Sequence, residues 1–232
     1  MIKAYSIIFL FKFCAFATFG QTIAWKTQKL ELKNVKGSLV QLNGEEVLKV
    51  ERDLKALPFD VKNLEATVDE PTYAKLTNLD FENGVIEVKM LSQIQDPSPF
   101  EFAQGFIGVA YRISENDSAF ESIYLRPKVG RSDNQMFRNH TVQYYSYPKY
   151  KFETLRKEAA GMYETSAPVN INEWITIRIE VKGQRAELYI NDAKYSNMIV
   201  DKMKGNTING SVALWVDIGT TGYFKDLKVT KK

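Results

Sequence analysis

Apolar and polar residues alternate over much of the chain, most clearly from Glu173 to Asp192. There Ile175, Ile177, Ile179 and Val181 are interleaved with Thr176, Arg178 and Glu180. A period of two is that of a strand with one face buried. Lys182-Gly183-Gln184-Arg185 supplies a turn in which Gly183 is free to take positive φ. Leu188 and Ile190 restart the alternation, and Asn191-Asp192 close it with turn formers. The stretch predicts a β-hairpin.

The same pattern predicts strands over Leu30–Val35, Ser38–Asn43, Val47–Arg52, Val85–Leu91, Phe106–Ile113, Phe120–Leu125, Thr141–Tyr147, Met198–Met203, Ser211–Val216 and Tyr223–Val229. Asn83-Gly84 and the run Ser114-Glu115-Asn116-Asp117-Ser118 read as turns, and Pro127–Arg138 as a long polar loop. Lys151–Met162 is the helical candidate, with Phe152, Leu155 and Ala159 on one face. Roughly a dozen strands with regular turn signals and no helix–strand alternation predict an all-β antiparallel sandwich of the jelly-roll kind. One of its two sheets should be concave, because large twisted sheets curve.

Composition changes this picture little. The 232 residues are 44% hydrophobic and 25% charged, an ordinary balance for a globular domain. A net charge of +3 makes no electrostatic case for a nucleic-acid partner. The N-terminus does add something. A basic Met1-Ile2-Lys3 leads into an apolar run from Ala4 to Phe19 and the small-residue ending Thr18-Phe19-Gly20. Residues 1–20 therefore read as a secretory signal peptide, and residues 21–232 as a single domain. The protein is expected to be secreted or periplasmic, with no membrane contact once the leader is cleaved. Lys12 interrupts the run, and an uncleaved anchor is the alternative. The lone Cys14 lies in the leader, so the mature chain needs no disulfide.

Glu173-Trp174-Ile175-Thr176-Ile177-Arg178, Gly183 and Ala186-Glu187-Leu188-Tyr189-Ile190-Asn191 together resemble the late hairpin of concanavalin A-like jelly rolls. They are especially similar to laminin-G-like domains and to 3-keto-disaccharide hydrolase (glucanase-like) domains. Gly210–Val216 and Gly222–Val229 are similar to the superfamily's last strand pair. Gly105–Arg112 with Phe120-Glu121 resembles its central pair, in which an Arg and a Glu project into the concave face. The resemblance spans about Val85 to Val229. It implies a jelly-roll fold but not one function, since such folds host lectins, adhesion modules, hydrolases and lyases.

Candidate chemistry lies in mid-chain. Alternation places Phe106, Gly108, Ala110 and Arg112 on one face, and separates Glu121 from Tyr124 and Arg126 across the next strand. Planar polar side chains with aromatics beneath the ring are what sugar recognition uses. The following stretch adds Asp133, Arg138, Asn139, the sole histidine His140, and Tyr144. Alternation would put His140, Val142 and Tyr144 on one face.

The leading expectation is a glycan, a poly- or oligosaccharide, lying across the concave sheet. Arg112, Glu121, Tyr124, Arg126, Asp133, Arg138, Asn139, His140 and Tyr144 would bind it. A carbohydrate-active enzyme on the same face is the alternative, a hydrolase or lyase with Glu121, His140 and Tyr144 as catalytic candidates. A laminin-G-like adhesion module is the third reading. Glu115-Asn116-Asp117-Ser118-Ala119-Phe120-Glu121 mimics the acidic strand of jelly-roll endoglucanases, but its spacing is one residue too long. One His and no mature Cys cannot build a zinc site. No cofactor is called for, although Asp69, Asp192 and Asp217 leave room for a structural calcium.

Overall fold

A computed structural model describes residues 21–232. Fifteen strands occur among them, in two antiparallel sheets. In chain order they are β1 (Thr22–Trp25), β2 (Gln28–Lys33), β3 (Val35–Leu42), β4 (Glu45–Arg52), β5 (Tyr73–Leu76), β6 (Gly84–Ile94), β7 (Ile107–Ile113), β8 (Phe120–Leu125), β9 (Val142–Tyr147), β10 (Glu164–Thr165), β11 (Ile175–Lys182), β12 (Arg185–Ile190), β13 (Met198–Val200), β14 (Ser211–Val216) and β15 (Thr220–Lys231). Short helices α1 (Leu64–Thr67), α2 (Gln135–Asn139) and α3 (Phe152–Glu158) lie in the connections. The first sheet runs β1-β2-β5-β14-β7-β8-β9-β10, the second β13-β12-β11-β6-β15-β4-β3. This is a jelly-roll sandwich. The leader read over residues 1–20 lies outside the described residues, and no helix within them is long and apolar enough to cross a membrane.

The predicted hairpin forms as β11 and β12, with Lys182 opposite Arg185 and Gly183 at φ +57°. Ile175, Ile177, Ile179 and Val181 are buried, while the alternate residues are half-exposed. Close approaches show which faces meet. A Cβ on Gly222 of β15 would touch Val216 and Ile107, and one on Gly37 of β3 would touch Leu32. Val216, Ile107 and Leu32 therefore point at the second sheet. Register then puts Val109, Leu214, Ile123, Leu125, Val142 and Tyr144 on that same inner face. They pack on Ile86, Val88, Met90, Leu48, Val50 and Phe224 in one core.

The opposite face of the first sheet carries Tyr73, Phe120, Tyr124, Tyr145 and Trp215. Their rings form a continuous set of contacts: Tyr124 and Trp215 have centroids 4.9 Å apart, Tyr124 and Tyr145 5.7 Å, and Tyr73 and Phe120 5.6 Å. Gly108 sits between Trp215 and Tyr124 in the ladder, and its lack of a side chain lets those two rings meet. This face is buried as well. Residues 53–72 and the segment leading into α3 lie over it. Trp215 Nε1 donates to Glu70 O at 2.9 Å, and Lys151 Nζ donates to the Glu70 carboxylate at 2.5 Å and to Glu65 O at 2.7 Å. The expected open concave surface is thus largely roofed by the chain itself.

Several local expectations change. Fifteen strands replace a dozen; β15 starts at Thr220 because its turn is already complete at Gly219. The Pro127–Arg138 loop contains most of α2, and the helical candidate shortens to α3. Arg112 takes φ +51° where β7 slips register against β14. The alternation breaks there, so Arg112 leaves the face of Gly108 and Ala110. It donates to Glu82 O and Gly183 O, each 2.7 Å from Nη2, and anchors turns of the second sheet. His140 is not a strand residue sharing a face with Tyr144, because it caps the C-terminus of α2.

Candidate functional site

At one end of the roofed face the covering segments stand apart and leave a cavity of about 220 Å³. Its frame begins at Arg52, the last residue of β4, which is buried with Asp217 just after β14. Arg52 Nη1 donates to Asp217 Oδ1 at 2.6 Å and to Thr67 O at 2.6 Å, and Nη2 donates to Pro58 O at 3.0 Å. This guanidinium therefore fastens the roof to the sheet. Asp217 Oδ2 accepts Asp69 N–H at 3.0 Å, and Asp69 Oδ2 in turn accepts Phe152 N–H at 2.8 Å. Two segments far apart in sequence are joined through two buried aspartates.

Phe100, Phe102, Phe106, Phe137 and Phe152 wall the cavity, with Tyr124 at its base. Phe102 is 65% exposed and Phe137 45% exposed. The polar groups are Asp69, Gln104, Arg126, His140, Arg156 and Asp217. Arg126 Nη2 donates to Tyr124 Oη at 2.6 Å and Nη1 to His140 O at 2.7 Å. Arg156 grips Glu164 with two nitrogens, Nε at 3.0 and 2.9 Å and Nη2 at 2.5 Å. The Phe152 ring lies under both guanidinium groups, 5.6 Å from Arg126 Cζ and 4.9 Å from Arg156 Cζ. His140 Nδ1 is 3.0 Å from Glu164 Oε1 but lacks the alignment of a hydrogen bond.

Charge in this cavity is unevenly held. Burial raises Asp69 from 3.8 to about 6, and the nearby Asp217 charge adds to the rise, against the Phe152 N–H and the Arg126 and Lys151 charges. Burial also raises Asp217 in spite of Arg52. Burial pulls Glu164 upward too, but the Arg156 hydrogen bond and the Arg126 and Arg156 charges overcome it and hold the group below its ordinary value. Burial, with the Arg156 charge, lowers His140 and favours its neutral form. Perturbed groups gathered in a cleft mark functional sites more often than chance.

The structure divides the residues singled out in the sequence. Tyr124, Arg126 and His140 meet at the cavity. Glu121 and Tyr144 lie on the inner face instead, sealed within the sandwich. Tyr144 Oη donates to Glu121 Oε2 at 2.5 Å, Gly205 N–H donates to Glu121 Oε1 at 2.9 Å, and Lys204 N–H donates to Tyr144 Oη at 2.6 Å. The pair fixes the connection between β13 and β14. Arg112 is at the turns already described. Asp133 is exposed, Asn139 accepts from Gln135 within α2, and Arg138 donates to Ser132 O. Asp69 and Asp217 are bonded to protein donors, Asp192 sits in an exposed turn, and the described residues contain no cluster of three acidic, His or Cys side chains suited to a metal. Arg156, Glu164 and the phenylalanine walls escaped the sequence reading. No local pattern marks them as a site, whereas Asp217, at the end of the apolar run Leu214-Trp215-Val216, was singled out only as a possible calcium ligand.

No family model matches the chain, and no curated protein matches it in sequence. Solved structures do. The carbohydrate-binding module CBM66 of Bacillus subtilis superposes with a TM-score of 0.51 at 11% identity, covering 84% of this chain and 94% of that one. The β-glucanase of Bacillus licheniformis gives 0.48 at 10% identity, covering 93% and 100%. The two antiparallel sheets and the likeness to CBM66 agree on a jelly-roll sandwich fold. At such identities the likeness is one of fold.

Proposed function

We propose that this protein binds carbohydrate and takes one sugar unit at the end of a glycan into the cavity beside Asp69, Arg126, His140 and Arg156. One observation carries the reading: phenylalanine walls and convergent planar polar groups share a single recess, the combination that holds a sugar by its apolar face and its hydroxyls. The fold resembles that of a module named for carbohydrate binding, which supports the reading. At about 220 Å³ the recess is below the usual range of about 300–1,000 Å³ for ligand pockets. It suits a single ring rather than a chain laid along the sheet, which the roof obstructs. With residues 1–20 read as a leader, the sugar would be met outside the cytoplasm by one domain spanning 21–232.

A carbohydrate-active enzyme is the second reading, and Asp69 favours it. A buried carboxyl raised to about 6 is poised for proton transfer. A retaining hydrolase needs a second free carboxylate about 5–5.5 Å away. Asp217 does not serve, since Arg52, Asp69 N–H and Ile218 N–H occupy it.

Calorimetric titration with a panel of mono- and oligosaccharides tests both readings. Binding that is already present for a short saccharide and weakened in Phe102→Ala is expected. Affinity that appears only for long chains and ignores Phe102→Ala would contradict a one-unit recess, and no retention of any saccharide would remove the proposal. Release of reducing ends or unsaturated products, abolished in Asp69→Asn, would decide for the enzyme.

A further inference from the structure

The cavity's basic side holds more donors than acceptors. Glu164 is the acid that Arg126, Arg156 and His140 share, and Arg126 donates besides to Tyr124 Oη, His140 O and Gln143 Oε1. Arg156 spends Nε and Nη2 on it, Arg126 Nη1 approaches to 3.4 Å, and His140 Nδ1 stands at 3.0 Å out of alignment. Among the described residues Arg156 Nη1 donates to no acceptor and is open to solvent. Arg126 and Arg156 share the Glu164 carboxylate, and Asp69 is the other acid whose charge reaches them. Across the cavity Arg52 neutralises Asp217, leaving Asp69 as the remaining acid.

A second depression, of about 430 Å³, adjoins the first. Asn139, Gly161, Glu164, Thr165 and Ser166 line it, and His140 and Arg156 belong to both spaces. These two side chains therefore form a partition between the two spaces. A group held at the partition meets the unspent guanidinium nitrogen and the imidazole edge together. A carboxylate is planar and offers two acceptors, matching the planar fork of an arginine better than a hydroxyl does.

We infer that the sugar unit taken into the cavity is a uronate, with its carboxylate at the partition against Arg156 and His140. The inference rests on the sugar-binding reading and narrows it. The rest of the ring lies between Phe102 and Phe152, and the glycan continues over the second depression.

Paired methyl glycosides test it: methyl glucuronide against methyl glucoside, and methyl galacturonide against methyl galactoside, titrated into the whole protein. In low salt one acidic member should bind about tenfold more tightly or better than its neutral twin, the size expected of a charge-assisted hydrogen bond. The preference should shrink as salt is added and vanish in Arg156→Gln. Should that variant fail to fold, Arg156→Lys keeps the charge without the fork, and its preference should be reduced. Equal binding of acid and neutral sugar, or preference for the neutral one, overturns the uronate and leaves sugar binding standing. A preference unchanged in a folded Arg156 variant overturns the assignment to the partition. Failure of every saccharide, including the longer panel, overturns both.

Discussion

Replacing Asp69 with Asn should make the protein more stable at neutral pH while weakening its binding. Burial raises the Asp69 carboxyl from 3.8 to about 6, so the folded state holds this proton more tightly than the unfolded chain does. Stability from this group is fully present below about pH 4 and is lost as pH rises to about 6. At 1.36 kcal/mol per pH unit, the difference between 3.8 and about 6 amounts to about 3 kcal/mol, carried as a penalty at neutral pH. Asn has no charge to bury, and its carbonyl can still accept the Phe152 N–H that Asp69 Oδ2 accepts at 2.8 Å. Urea unfolding of both proteins across a pH series reads the effect directly. The stability gap, variant minus wild type, should grow by up to about 3 kcal/mol between about pH 4 and pH 7. A gap that stays flat over that window would refute the reasoning. A carboxyl kept at such a cost to folding suits a group that ligand binding requires.

Other perturbations probe the frame around the cavity. Gly108→Ala would place a Cβ 2.3 Å from Ile123 O and 2.6 Å from Tyr124 Cβ, so chemical denaturation should show a loss of about 3 kcal/mol. Arg52→Ala leaves Asp217 buried and unpaired, which should cost about 3–5 kcal/mol by the same measurement. It should also expose residues 53–67 to limited proteolysis, because their carbonyls lose Arg52. Phe102→Ala removes an exposed wall and should leave stability within about 0.5 kcal/mol, while weakening saccharide binding by about three- to tenfold. Glu121→Gln should leave saccharide affinity within about twofold, because Glu121 lies on the inner face and hydrogen-bonds to Tyr144 and Gly205.

The strands were legible where one face is buried and the other wet. The β11–β12 hairpin follows from Ile175–Val181 and Gly183 without tertiary information. The first sheet was harder, because β7 and β8 are buried throughout and show no polar face to the eye. Its direction of projection also failed locally. One positive φ at Arg112 reversed the fate of a guanidinium, and Glu121 lay inside because a buried acid can be satisfied by Tyr144 and a backbone N–H. The cavity was legible only in part. Tyr124, Arg126 and His140 are near in sequence, but Phe102 and Arg156 come from flanking segments, and Asp69 arrives from more than 50 residues upstream. No local pattern encodes a roof, so the open groove expected from the fold became a recess at its end.

The chain contains one histidine, and it stands at the mouth of that recess. Its imidazole proton signals can therefore be followed without ambiguity during titration with a saccharide that binds. The account predicts that they shift and saturate with the same affinity that calorimetry reports. Saturable saccharide binding with the His140 signals unmoved would place the sugar elsewhere on the protein and contradict it.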